Sequence, residues 1–185
     1  DYDMTYMMMS PTGKAASRLS EQTGRPASTI HRAVLGSQLA DKEVLIIDES
    51  SMLSIDLVSM ITYNSELLDH CRLLFVGDSA QIPSIGLGRV FKDMGESGVI
   101  PKCTLTKCFR FEEGGASYIS TLTRQGEFYL NEEQVSKEEF TLGDKQDYRF
   151  INFNYELDQI IDTYMGLVED GVSPQDIMVL VPYNI

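Results

Sequence analysis

Asp48 and Glu49 close a run of four apolar residues, Val44-Leu-Ile-Ile47, and Asp78 closes a second run that begins at Leu73. Gln81 follows three positions after Asp78. An aspartate at a buried strand tip can hold Mg2+ directly or through water, and an adjacent glutamate can orient and deprotonate an attacking water. A neutral amide fixed at one point can sense a terminal phosphate or that same water. These residue types in this order point to hydrolysis of a magnesium-bound triphosphate. Leu105-Thr-Lys-Cys-Phe-Arg110 adds an arginine whose planar guanidinium suits a γ-phosphate, although Arg110 taken alone reads more readily as a surface residue.

A second group of residues suits phosphate contact without catalysis. Ser10-Pro-Thr-Gly-Lys-Ala-Ala16 contains a Gly-Lys pair but is not a phosphate loop. That motif requires Gly-x-x-x-x-Gly-Lys-[Ser/Thr], whereas Met8 stands at the first glycine position and Ala15 at the hydroxyl position. The segment reads instead as a strand-to-helix turn in which Thr12, the Gly13 backbone and Lys14 meet a phosphate at a helix start. Lys14 and Arg18 are four apart and share a helix face. Ser28-Thr-Ile-His-Arg32 brings Thr29 and His31 to another helix start. Such a set can track a sugar-phosphate backbone without reading bases. Taken alone, either segment also reads as a capped surface helix with solvated charges.

The elements that must position these residues are legible in the apolar pattern. Apolar runs at Val44–Asp48 and Leu73–Asp78 predict strands buried on both faces, as in a parallel sheet covered by helices, and Met4–Met9, interrupted by Thr5 and Tyr6, reads as a further strand. Helix-like stretches at Lys14–Gln22, Thr29–Leu35 and Ile55–Leu68 alternate with them. The fold class is therefore α/β, and ligands gather at the carboxyl ends of the strands of such sheets. Gly24 is placed to close the first helix and Gly36 the second, with Ser28 as the expected cap of the second. Val90–Met94 predicts one further short helix ended by Gly95 or Gly98. Pro83, Gly86 and Gly88 shape a tight loop that would hold Gln81.

Beyond this lies a second α/β unit. Arg149–Phe153 and Ile177–Pro182 read as strands. Tyr155–Asp170 is the clearest helix, its Leu157, Ile160, Ile161, Tyr164, Leu167 and Val168 falling on one face before Gly171. Residues 112–147 are polar, with Glu-Glu pairs, and predict a helix near Ala116–Gln125 followed by an acidic surface loop over 126–147. The division is expected as 1–111 and 112–185.

The chain has 185 residues, 43% hydrophobic and 23% charged, an ordinary globular composition with enough length for a large domain or two small ones. No apolar run reaches the roughly 18 residues of a membrane span, and the Met-rich opening lacks a basic leader, so no membrane association is expected. The net charge of −13 argues against a generic nucleic-acid coat. The charge is uneven: residues 1–111 hold 11 Lys and Arg against 13 Asp and Glu, and residues 112–185 hold 4 against 15. Local basic spots therefore persist in the first part, and screening confines electrostatics to about 8–10 Å. Cys71, Cys103 and Cys108 fit free thiols in a reducing, cytoplasmic compartment, since no second Cys or His pair completes a zinc site.

Together the segments resemble the superfamily 1 helicases, and among them the RecD-like (exodeoxyribonuclease V alpha subunit) 5′→3′ DNA helicases. Pro11-Thr-Gly-Lys-Ala-Ala-Ser-Arg-Leu19 resembles motif Ia, and Ser28–Arg32 the next strand-contacting motif. Ile46-Ile-Asp-Glu-Ser-Ser-Met52 resembles motif II, Gly77–Gly88 motif III, and Leu105–Arg110 motif IV. The likeness is close over residues 4–112 and looser over 148–182. It implies a RecA-like P-loop NTPase fold with one nearly complete RecA-like domain 1A and part of a domain 2A. It also implies ATP and Mg2+ as cofactors, single-stranded DNA as partner, a recombination or repair setting, and association with nuclease and helicase subunits as in RecBCD-like complexes. Asp48 would hold Mg2+, Glu49 activate water, Gln81 couple phosphate state to domain closure, and Arg110 contact the γ-phosphate. Thr12, Gly13, Lys14, Arg18, Thr29 and His31 would contact the strand. The family's P-loop is expected before residue 1 and its motifs V and VI after residue 185, so the chain reads as a fragment, inactive on its own. Ser50 stands where the family usually has alanine. A conjugative-relaxase helicase domain, or a non-hydrolysing DNA-binding or scaffold module, are the alternatives.

Overall fold

A computed structural model describes residues 4–63, 69–107, 114–143, 147–152 and 157–180. It divides into two compact units, Asp1–Leu105 and Thr106–Ile185.

The first unit is built on a four-stranded parallel sheet of order β2-β1-β3-β4, with β1 at Tyr6–Ser10, β2 at Ala27–Thr29, β3 at Val44–Ile47 and β4 at Arg72–Phe75. Parallel neighbours require crossovers, and the helices supply them. Helix α1 spans Gly13–Thr23, α2 Ile30–Leu35, α3 Ile55–Thr62 and α4 Val90–Glu96. Side chains alternate across the pleat. Met9, Leu45 and Ile47 point to one face, where with Ile30, Ala33, Leu53 and Ile61 they form the core. Complete burial of each large side chain contributes about 1.5–3 kcal/mol. On the other face α1 packs against β1 and β2, with Met8 and Ala16 buried.

The expectation that the run from Leu73 to Asp78 is buried on both faces is corrected here. The strand ends at Phe75, and Leu74 and Val76 are 51% and 44% exposed. β4 is an edge strand, and among the described residues no helix covers its outer pleat face. Gly24 closes α1 in the left-handed conformation (φ 65°), and Gly36 follows α2. Thr29, not Ser28, caps α2, because Ser28 is taken into β2. Gly95 does not end α4, which runs on to Glu96. α3 ends at Thr62, and residues 64–68 of the longer expected helix lie outside the described residues.

In the second unit, α5 spans Gly115–Gln125, α6 Glu132–Val135 and α7 Leu157–Glu169. The stretch expected as an acidic loop, 126–147, instead contains α6 and a strand. Asn131 and Gln134 cap α6 reciprocally, and β5, Glu139–Leu142, pairs antiparallel with β6, Tyr148–Ile151. Phe140 stacks on Phe150 at 5.0 Å, and Arg149 Nε donates to Glu139 Oε1 at 2.6 Å. Asp147 accepts from the amides of Gly115 and Ala116 at 2.8 and 3.2 Å and so caps α5. At Gly115 a β-carbon would collide with the Leu142 carbonyl, so only glycine permits this approach.

The helix expected over Tyr155–Asp170 is found as α7, whereas one further expectation fails in this unit. Residues 177–180 of the predicted strand Ile177–Pro182 are unpaired, and Leu180 is 83% exposed. The apolar face of α7 is also open, with Leu157, Ile161 and Leu167 exposed. A two-stranded hairpin offers too little surface to bury such a face. Among the described residues no helix is long and apolar enough to cross a membrane.

Candidate functional site

The carboxyl ends of β1, β3 and β4 are laced together by backbone hydrogen bonds. Asp48 N–H donates to the Met9 carbonyl at 2.9 Å, Val76 N–H to Ile47 at 2.8 Å and Ser50 N–H to Val76 at 2.9 Å. Asp48, Glu49 and Asp78 thus stand at one sheet edge, each half-buried. Glu49 adopts a left-handed conformation (φ 52°, ψ 41°), which costs a residue with a β-carbon about 1–2 kcal/mol. The turn after it is pinned by Ser50 Oγ, which donates to the Ile47 carbonyl at 2.7 Å. Non-glycine strain of this kind clusters at functional sites.

After β4 the chain turns tightly. Asp78 Oδ1 accepts from Ala80 N–H at 3.0 Å, and Gln81 N–H donates to the Asp78 carbonyl at 3.1 Å. The following loop folds back onto the start of α3, where Ile55 N–H donates to Leu87 at 2.9 Å. Ser84 Oγ approaches the carbonyls of Gly86 and Gly88 at 3.0 and 3.2 Å. Gly88 has φ 89°, and a β-carbon there would lie 2.7 Å from Ile55 Cγ1. The loop is therefore seated by sterics as well as hydrogen bonds, and it fixes the backbone on which Gln81 is carried.

Gln81 lines a cleft of about 160 Å³ with Ser51, Ser79, Arg89 and Lys92, whose apolar members are Pro83 and Phe91. Ser51 is 8% exposed, and its Oγ has no hydrogen-bond partner among the described residues. An unpaired buried hydroxyl costs about 1–3 kcal/mol. Ser51, Ser79, Arg89 and Lys92 escaped the sequence reading. Their signal was slight: Arg89 directly follows the last glycine of the loop, and Lys92 is three positions on.

The residues of the second predicted group are carried by α1, α2 and the turns that lead into them from β1 and β2. Thr12 follows β1 and Thr29 ends β2, and Ser10 and Thr29 are register partners. Thr12 Oγ1 accepts from Ala15 N–H and Thr29 Oγ1 from Arg32 N–H, each at 3.3 Å. Both hydroxyl hydrogens stay free to donate to a phosphate. Gly13, Lys14, Arg18 and His31 are exposed. Ser10 and Ser28, neighbours at this end of β1 and β2, are further hydroxyls with no partner among the described residues. Arg110 and Cys108 lie outside the described residues. Cys71 and Cys103 are free thiols, and burial pushes the Cys71 thiol up.

Among the described residues no three His, Cys, Asp or Glu side chains cluster as a metal cage. Mg2+ needs none, since it binds through one or two carboxylates, water and substrate phosphates. The Asp48 carboxylate and the unpaired Ser51 hydroxyl are hard oxygen donors that fit a magnesium-bound phosphate.

A parallel sheet with its acidic residues at the strand tips defines an α/β protein of the P-loop class, and the chain belongs to the family described as AAA domain, whose model matches residues 2–139. Over 112 residues, 56% of the chain, it is 36% identical to the ATP-dependent RecD2 DNA helicase of Deinococcus radiodurans, covering 15% of that protein. Over 110 residues, 47% of the chain, it is 30% identical to an uncharacterised protein of Methanocaldococcus jannaschii, covering 9% of it. The chain thus spans about a seventh of the first relative and less of the second. The motif resemblance to RecD-like superfamily 1 helicases agrees with these matches over the part they cover.

Proposed function

We propose that this chain is the nucleotide-hydrolysing and strand-contacting portion of an ATP-dependent DNA helicase of the RecD-like type, moving 5′→3′ on single-stranded DNA. Asp48 holds Mg2+ and Glu49 takes the proton of the attacking water. Gln81 reads the terminal phosphate, and Arg110 supplies a further cation to it. Bound Mg2+–ATP supplies the phosphoanhydride that is cleaved. Thr12, Gly13, Lys14, Arg18, Thr29 and His31 hold the phosphodiester backbone. Residues 1–111 act as RecA-like domain 1A and residues 112–185 as part of domain 2A. A cytoplasmic setting in recombination or repair, with nuclease and helicase subunits of a RecBCD-like assembly, belongs to the same reading.

The observation that carries it is the lacing of β3 to β4, which sets the Asp48-Glu49 pair beside the Asp78–Gln81 turn on one edge. No phosphate-loop sequence occurs within the 185 residues, so the chain by itself hydrolyses ATP weakly or not at all. The test is ATP hydrolysis by the parent protein that contains this chain. Glu49→Gln should lower kcat by about 10²–10⁴, the usual contribution of a positioned base. Full hydrolysis in Glu49→Gln would sink the assignment.

A further inference from the structure

The cleft beside Gln81 has a composition that the proposed roles do not use. Two cations and three neutral polar groups line it, with no carboxylate among the lining residues. Arg89 is exposed, and its guanidinium has no ion-pair or hydrogen-bond partner among the described residues. Lys92 is engaged only with Glu96, at 3.8 Å across one turn of α4, a contact weak enough to exchange. Ser51 brings a hydroxyl more than nine-tenths buried and unpartnered. Donors without acceptors call for an oxyanion.

Size narrows the class. At about 160 Å³ the cleft is well below the roughly 300–1,000 Å³ of sites that enclose a whole nucleotide-sized ligand. It accommodates one tetrahedral oxyanion. The geometry points to a phosphate subsite in which Arg89, Ser51 and Ser79 hold the single phosphate group that Gln81 senses. Arg89 is then a specificity-determining residue, supplied within the first unit and distinct from Arg110. This rests on the reading of the strand tips as a hydrolysis site.

Inorganic phosphate is the probe, titrated into the 15N-labelled 185-residue chain at constant ionic strength. The amides of Ser51, Ser79, Gln81 and Arg89 should shift together with one midpoint, and chloride should not reproduce the effect. Arg89→Ala should raise the midpoint at least tenfold, with Arg89→Lys in between. Ser51→Ala should raise it at least threefold while melting no lower than the parent, since it removes an unpaired buried hydroxyl. An unchanged midpoint in Arg89→Ala, or shifts confined to other residues, overturns the subsite. Displacement of phosphate from the cleft by a single-stranded oligonucleotide also overturns it, in favour of a backbone contact. Phosphate held at the cleft without Glu49-dependent hydrolysis by the parent protein would keep the subsite and sink the hydrolysis reading. Glu49-dependent hydrolysis with no phosphate at the cleft would do the reverse.

Discussion

The Ser50 amide donates to the Val76 carbonyl at 2.9 Å, joining the turn that follows Glu49 to the end of β4. To make that bond the chain must reverse directly after β3, and Glu49 absorbs the reversal at φ 52°. The local strain and the placement of the carboxylate therefore have one cause. Position 49 is a poor one for a β-carbon, since the left-handed conformation favours glycine.

Glycine at this position should accordingly outperform alanine. Glu49→Gly and Glu49→Ala both delete the carboxylate, but only glycine tolerates the left-handed conformation without cost. The glycine variant should be the more stable by about 1 kcal/mol, after its greater unfolded-state entropy is subtracted from the strain it relieves. Urea unfolding of the two variants, with equal m-values, measures the gap. Equal midpoints would show that the turn at Glu49 is unstrained.

Gly88 governs the loop that carries Gln81. Its φ of 89° and the nearness of Ile55 leave alanine nowhere to go without moving the loop or α3. Gly88→Ala should cost about 1–3 kcal/mol, and Gln81-dependent function should fall with it. The contrasting control is Gly13→Ala, where a β-carbon would meet nothing within 4 Å. Comparable losses in the two variants would remove the steric argument.

How much of this was readable beforehand depends on what decided each element. Val44–Ile47 was legible because a strand between two others in a covered sheet needs an uninterrupted apolar run. Gly24 and Gly36 were legible because helix ends have local chemistry. β6 was legible, since a strand was expected over Arg149–Phe153, but its partner β5 was hidden: Phe140 and Leu142 alternate with polar residues, and the flanking Glu pairs carried more weight than a four-residue period-two signal. Ser28 was misjudged because the choice between Ser28 and Thr29 as cap depends on where β2 stops, a matter of pairing with β1. The placement of Asp48 and Glu49 at the carboxyl end of β3 followed from the rule for strand ends. Ser51 and Arg89 did not, because they meet only after the 84–88 loop folds back upon α3.

Strand contact has a distinctive electrolyte signature. Lys14 and Arg18 are exposed four residues apart on α1, and His31 is exposed on α2 beside the Thr29 cap. If Lys14 and Arg18 neutralise phosphates of single-stranded DNA, each alanine substitution should reduce the slope of log K against log salt by about 0.7. Lys92→Ala, a cation carried on α4 rather than on α1 or α2, should leave the slope unchanged. Fluorescence anisotropy with a labelled oligonucleotide at several salt concentrations gives the slopes. Identical slopes for Lys14→Ala and the parent would remove this helix from the interface.

Tyr148 offers a pH test of the second unit. Burial, then the hydrogen bond with Tyr129 and that neighbour's own charge, push its phenol from 10.0 up to about 12. The rings meet edge-on, with centroids 6.3 Å apart. Because the folded value is the higher one, the neutral phenol favours the folded state. That contribution is complete below pH 10 and is lost as pH rises towards 12. Among the chain's nine tyrosines, one ionisation should therefore come late in an absorbance titration of tyrosinate. The late step should vanish in Tyr148→Phe and move to lower pH in Tyr129→Phe, which removes the hydrogen bond and the neighbouring charge but leaves the burial. A late step that survives Tyr148→Phe would place the perturbed phenol elsewhere and detach the β5–β6 hairpin from the alkaline transition.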